Sequence, residues 1–179
     1  MTIFTQTLLL LSCACLLSPS YGVQSSAHDS WNVPQCASLT DYKKNKSTYI
    51  RMPSLGADLF LPRAQKVRTR KVNDVDYELY VFSYGPTEQR NILQGWFGPY
   101  AAAKSVREKS KQKSANFSER WATIGNDKAL DSSGETKDGK YWRYLDLGSS
   151  SLSYEDASRE AASVFDSMLA KMCYKMWKP

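Results

Sequence analysis

The residue types on which nucleophilic catalysis and zinc binding most often depend are scarce in this chain of 179 residues, which holds one histidine and four cysteines. His28 lies in a polar N-terminal stretch, with no second histidine to share a metal or relay a proton. A general base must be held within hydrogen-bonding reach of its nucleophile by a rigid frame. A closed zinc site needs four ligands. Both chemistries are therefore argued against, and neither a catalytic residue nor a metal ligand is assigned. No cofactor is implied either, because Gly95-Trp96-Phe97-Gly98 lacks the spacing and the lysine of a phosphate-binding loop.

Carboxylates are more plentiful. Asp127, Asp131, Glu135 and Asp138 follow one another closely, and a calcium loop can be tried on Asp131-Ser132-Ser133-Gly134-Glu135. The glycine falls at the wrong step and no acid closes the loop, so these side chains read as solvated loop carboxylates. A paired-carboxylate hydrolase needs two acids facing each other across a cleft about 5 to 10 Å wide. Asp76, Glu78, Glu119 and Asp146 sit in or beside predicted strands. They keep a small hydrolase open as an alternative.

Two groupings point to binding. Trp96, Phe97, Tyr100, Trp121, Tyr141, Trp142 and Tyr144 cluster in the middle of the chain, with Trp142 and Tyr144 on one face of a predicted strand. Such residues either fill a packed layer or form an aromatic platform for a sugar. The second grouping is basic: Lys104, Arg107, Lys109, Lys111 and Lys113 in one short segment, with Arg63, Lys66, Arg68, Arg70 and Lys71 elsewhere. It reads as a solvated face or as a docking surface for an anionic polymer, glycan or lipid. The formal net charge of +6 suits the second reading. The expected function is that of a non-catalytic binding or interaction domain, docked to an acidic envelope or matrix component. A carbohydrate-binding module using the aromatic surface is a further alternative.

The expected compartment is secreted or periplasmic. Residues 3–17 hold an apolar run broken by Ser18 and Pro19, too short to span a bilayer. Ser20-Tyr21-Gly22 places small residues for cleavage after Gly22, so 1–22 reads as a secretory signal with no transmembrane segment following it. It holds no Lys or Arg. Cys13 and Cys15 allow a lipoprotein reading, which leaves an unusually short apolar core. Nucleic acid is an improbable partner outside the cytoplasm. Beyond the leader only Cys36 and Cys173 remain, the number for one disulfide in an exported protein. Asn45 and Asn116 head glycosylation sequons, a pattern too short to decide anything.

Two units are predicted after the leader, a partly disordered arm over 23–54 and a single domain over 55–179. Strands are expected at 57–61, 66–72 and 75–84, the last two forming a hairpin. A further strand at 91–98 contains Gly95, which suggests a bulge or a close backbone approach. A short basic helix ends near Lys113, a strand follows at 120–125, and 126–140 is expected to be a polar loop. Its Asp138-Gly139 marks a hairpin leading into a strand at 141–147. Apolar residues at steps of three and four then predict one helix from Ser153 to about Cys173, some 33 Å long and capped by Ser153. The fold class expected is α+β: a mainly antiparallel sheet packed against this long C-terminal helix, with the basic helix and a covering layer making two or three layers.

Overall fold

The computed structural model describes residues 30–36, 48–54, 57–74, 76–86, 91–97, 103–148 and 150–177. The predicted leader over 1–22 with Cys13 and Cys15, the stretches 23–29 with His28 and 37–47 with Asn45, and Tyr100 lie outside the described residues. Within them the chain forms eleven strands and two short helices. The strands are β1 (Trp31–Asn32), β2 (Tyr49–Ser54), β3 (Ala57–Pro62), β4 (Val67–Asn73), β5 (Glu78–Tyr84), β6 (Ile92–Phe97), β7 (Ser114–Ile124), β8 (Asp127–Thr136), β9 (Tyr141–Asp146), β10 (Ser150–Ala157) and β11 (Cys173–Met176). The helices are α1 (Ala103–Lys113) and α2 (Arg159–Ala170). Eight strands form one sheet in the order β1-β7-β8-β9-β10-β6-β5-β4, and three form another in the order β11-β3-β2.

The molecule is thus mostly β, which corrects the expected α+β sandwich built on a long C-terminal helix. The predicted helix divides into three elements. Its first part is β10, seated between β6 and β9 with Leu152 opposite both Gly95 and Leu145. Leu152 and Tyr154 are buried in the core, and serine is an indifferent helix former that a sheet slot overrides. The ladder breaks between Tyr154 and Ala157, where Asp156 adopts φ 49°. The cap of α2 is Ser158, whose hydroxyl accepts from the Ala161 amide at 3.2 Å. Twelve residues later α2 ends, and Met172 leads into β11.

The other large difference is β8, expected as a polar loop. Asp131, Ser132, Ser133, Gly134 and Glu135 pair with β7 on one side and β9 on the other. Asp131, Ser132 and Ser133 find side-chain partners on the neighbouring strands, so no apolar alternation announces the strand. The β4–β5 hairpin and the β8–β9 hairpin at Asp138-Gly139 match expectation. At Gly95 a Cβ would lie 2.9 Å from Phe97 and 3.0 Å from Leu152, so the glycine marks the close approach its sequence suggested.

Alternation along β9 separates two layers. Leu145 faces the main core, which joins Leu59 and Leu61 of β3, Phe82 of β5, Leu93 of β6, Leu152 of β10, and Phe165 and Leu169 of α2. Trp142 and Tyr144 face the other way and form a small buried cluster. The Trp142 indole donates to Ser114 Oγ at 2.7 Å, and Ser114 Oγ donates to the Ser110 carbonyl at 2.7 Å. That chain pins α1 over the reverse face, where it packs on β7 to β10.

Cys36 and Cys173 form a disulfide, with Cα atoms 5.1 Å apart. It ties the segment after β1 to β11, rather than to a helix. The Cys36 amide donates to the Tyr174 carbonyl, and the Tyr174 amide donates to that of Pro34. β1 itself runs parallel to β7, and Val33 is buried, although both fall within the arm expected to be partly disordered.

Candidate functional site

The basic segment folds so that its cations separate. Arg107 is buried, bonded to Glu108 at 3.2 Å, with Asp146 at 3.9 Å. Lys111 reaches Glu119 at 2.7 Å across the sheet, and its Nζ sits 5.4 Å from the Phe117 ring centroid. Desolvation would raise the Glu119 pKa, but the hydrogen bonds from Lys111 and Ser132 outweigh it and hold it lowered. Lys109 and Lys113 are exposed, and Lys104 is the second residue of α1. Helix formation brings this about: residues one turn apart share a face, and the face of Arg107 and Lys111 meets the sheet.

The predicted aromatic set also divides. Trp142 and Tyr144 lie buried under α1, so they fill a layer and display no platform. Trp96 is half-buried and packs on Tyr77 with ring centroids 5.1 Å apart. Among the described residues, the large apolar side chains that are exposed are Phe117, Trp121, Met176 and Trp177.

On the core side a charged network forms a frame. Asp131 accepts from Arg143 through both carboxylate oxygens at 2.8 Å, from Arg120 at 2.9 Å and from the Trp31 indole at 3.0 Å. Arg143 also donates to Asp166 at 2.8 Å, which accepts from the Tyr154 hydroxyl at 2.9 Å. Burial would lower the Arg143 pKa, but the hydrogen bonds and charges of Asp131 and Asp166 outweigh it and raise it, so the guanidinium stays charged. Burial, then the charge of Asp166, raises the Tyr154 pKa. Each group finds its partners inside the fold, which suits a structural role.

A polar cleft of about 690 Å³ lies on the reverse face. Four elements wall it: Lys113 at the end of α1, Thr136, Asp138 and Lys140 from the β8–β9 hairpin, Ser153, Glu155 and Asp156 from β10, and Asn91, Ile92 and Gln94 at the start of β6. The walls are tied together. The Lys137 amide donates to the Lys113 carbonyl at 3.2 Å, joining hairpin to helix. Thr136 Oγ1 accepts from the Lys140 amide at 3.0 Å and donates to Asp138 at 2.6 Å, closing the hairpin. Asn91 Oδ1 accepts from the Ser158 amide at 2.7 Å, joining β6 to the cap of α2. Asn91 and Asp156 both adopt left-handed backbone, φ 65° and 49°, a conformation that concentrates at ligand sites when the surroundings enforce it.

Comparison with family models, curated proteins and solved structures finds no match for this chain.

The cleft's own electrostatics therefore carry the functional argument. Desolvation at the cleft wall raises the Glu155 pKa against the opposing hydrogen bond from Tyr144, with Asp156 adding to the rise and Lys113 and Lys109 reducing it. Asp138 is held low, first by the Thr136 hydroxyl. Lys113 and Lys140 offer donors to an anion, while the carboxylates, Asn91 and Gln94 offer acceptors to hydroxyls. Among the described residues, no three His, Cys, Asp or Glu side chains gather to hold a metal. Of the residues singled out in the sequence as binding candidates, Lys113 alone lines this cleft. Glu155 and Asp156 lie in the segment expected to open the long C-terminal helix, which hid them as cleft residues. No helix among the described residues is long and apolar enough to cross a membrane.

Proposed function

We propose that the protein binds an acidic, hydroxyl-rich ligand, a short stretch of anionic glycan, in the cleft between α1, β10 and the β8–β9 hairpin. The observation that carries this reading is the polar lining, with Lys113 and Lys140 set among Asp138, Glu155, Asp156, Ser153 and Gln94. A cleft of this volume lies in the range that encloses small ligands. Acid groups of the glycan meet the lysines, and its hydroxyls donate to the carboxylates. The exposed Lys109 and the net charge of +6 draw such a polymer toward the surface. Export through residues 1–22 would place the protein where such polymers occur, and the Cys36–Cys173 bridge suits an oxidising compartment. Backbone amide shifts recorded on adding a uronic-acid tetrasaccharide test the site. Shifts clustered on residues 91–94, 136–140 and 153–156 support it. Shifts confined to α1 or absent altogether reject it.

A second reading, acid–base hydrolysis of the bound glycan, draws on the contrast between Glu155 and Asp138. Glu155 and Asp138 both line the cleft, the first inclined to keep its proton and the second to lose it, the kind of contrast that separates acid from base in glycoside cleavage. Release of reducing ends, abolished by both Glu155→Gln and Asp138→Asn with binding retained, distinguishes hydrolysis from binding alone.

A further inference from the structure

Charges on the reverse face divide into those that find partners and those that do not. Lys111 is held by Glu119 at 2.7 Å, and Arg107 by Glu108 at 3.2 Å. Around the cleft the pattern is different: among the described residues Lys113, Lys140, Glu155 and Asp156 make no ion pair, and Glu155 accepts from the neutral Tyr144 hydroxyl. The two signs also stand on different walls. Lys113 ends α1, and Lys140 belongs to the β8–β9 hairpin that the Lys137 amide joins to α1. Glu155 and Asp156 are neighbours on β10. Asp138 is a further carboxylate on the hairpin, already answered by the Thr136 hydroxyl.

We infer that the ligand of the cleft carries both signs: a glycan in which a sugar bearing an acid is followed by one bearing a free amino group. This rests on the reading of the cleft as a glycan site and narrows the sugar it takes. A glycan with acid groups alone answers Lys113 and Lys140, but it brings its charge up against Glu155 and Asp156, and like charges set together oppose binding. A polyamine has the converse fault. With its acid toward α1 and the hairpin and its ammonium toward β10, a ligand of mixed charge leaves neither sign unanswered and makes charge-assisted hydrogen bonds to both walls. Desolvation raises the Glu155 pKa and the adjacent Asp156 adds to the rise, with Lys113 and Lys109 offsetting it in part, so the acid pair gains from a cation set beside it. Asn91 and Gln94 on the remaining wall serve the hydroxyls.

Isothermal titration just below neutral pH, where amino-sugar amines carry a proton, tests it with a pair of tetrasaccharides that share one alternating backbone of uronic acid and amino sugar. One is N-acetylated, and the other has its amines free. Wild type should bind the free-amine form at least about tenfold more tightly. Glu155→Gln combined with Asp156→Asn should bring that ratio down to about one. Asp156→Asn alone should lower it part of the way, and asparagine tolerates the left-handed backbone at this position, so the variant keeps the local fold. Taking the ratio of the two sugars within each variant cancels any general loss of binding. A wild type that binds the N-acetylated form as tightly as the free-amine form overturns the inference, while the acidic-glycan reading stands. A preference that persists undiminished in both variants overturns it as well. Binding of neither sugar rejects the reading of the cleft and this inference together.

Discussion

The Tyr144 hydroxyl donates to Glu155 Oε1 at 2.9 Å, between neighbouring strands β9 and β10. This bond joins the layer packed under α1 to the wall of the cleft. Burial and then the charge of Glu155 raise the Tyr144 pKa, so the phenol remains a donor throughout the working range. Glu155 is thereby held in place, at the cost of partial desolvation.

The raised Glu155 pKa sets a pH dependence. A carboxyl whose folded pKa exceeds its unfolded value of about 4.3 adds stability that is present below that value and is lost as pH rises through the folded one. Glu155→Gln keeps an oxygen for the Tyr144 hydroxyl and has no such loss. Thermal melts should coincide with wild type at acid pH and exceed it at neutral pH. A variant less stable than wild type at neutral pH would show that Glu155 is a net stabilising charge.

Asp131→Ala removes one side of the buried pair and strands Arg143 without its main partner. Loss of one partner from a buried ion pair costs about 3 to 5 kcal/mol. Chemical denaturation should show a loss of that size, and Arg143→Lys with Asp131 intact should also destabilise, because lysine cannot keep the two-point contact. A loss under about 1 kcal/mol, typical of surface pairs, would remove the network from the frame.

Phe165→Ala should cost about 3 to 5 kcal/mol, since Phe165 is completely buried against Tyr154 with ring centroids 5.6 Å apart. A melting temperature within a degree or two of wild type would mean that α2 is not a core element.

How far the fold could be read from the sequence varies with how local its causes are. Phe165 and Leu169 carried the right inner face because helical spacing is a local signal, and Asp138-Gly139 gave its hairpin for the same reason. The helix start was misplaced because Tyr154 and Ala157 stand at a helical step of three, a spacing that a regular strand would divide between its faces and that the irregularity between them brings to one core. Only the pairing of Ser151 with Trp96 and Asp146 decides between helix and strand. β8 was invisible because its polar side chains are satisfied by Arg120, Arg143 and Glu119, which lie on strands far along the chain or across a turn. The cleft inherited both errors, since Glu155 belongs to the misread segment and Asp138 to the supposed loop. Cysteine counting needed no geometry, and the Cys36–Cys173 bridge came through intact.

Cys173→Ser should lower stability by up to about 4 to 5 kcal/mol in the chain-entropy view. The fold should persist, because the two backbone bonds of Tyr174 to Cys36 and Pro34 still dock β11. Unfolding monitored by circular dichroism checks both parts, and an unchanged midpoint would deny the bridge its role.

Isothermal titration of the protein with a uronic-acid tetrasaccharide, beside a neutral one of equal length, tests the cleft most directly. Wild type should bind the acidic sugar in preference, with affinity falling as salt rises. Lys113→Ala combined with Lys140→Ala should abolish that preference, whereas Lys109→Ala, outside the cleft, should weaken binding only slightly at low salt. Equal binding of the acidic sugar by wild type and the double variant would contradict the account.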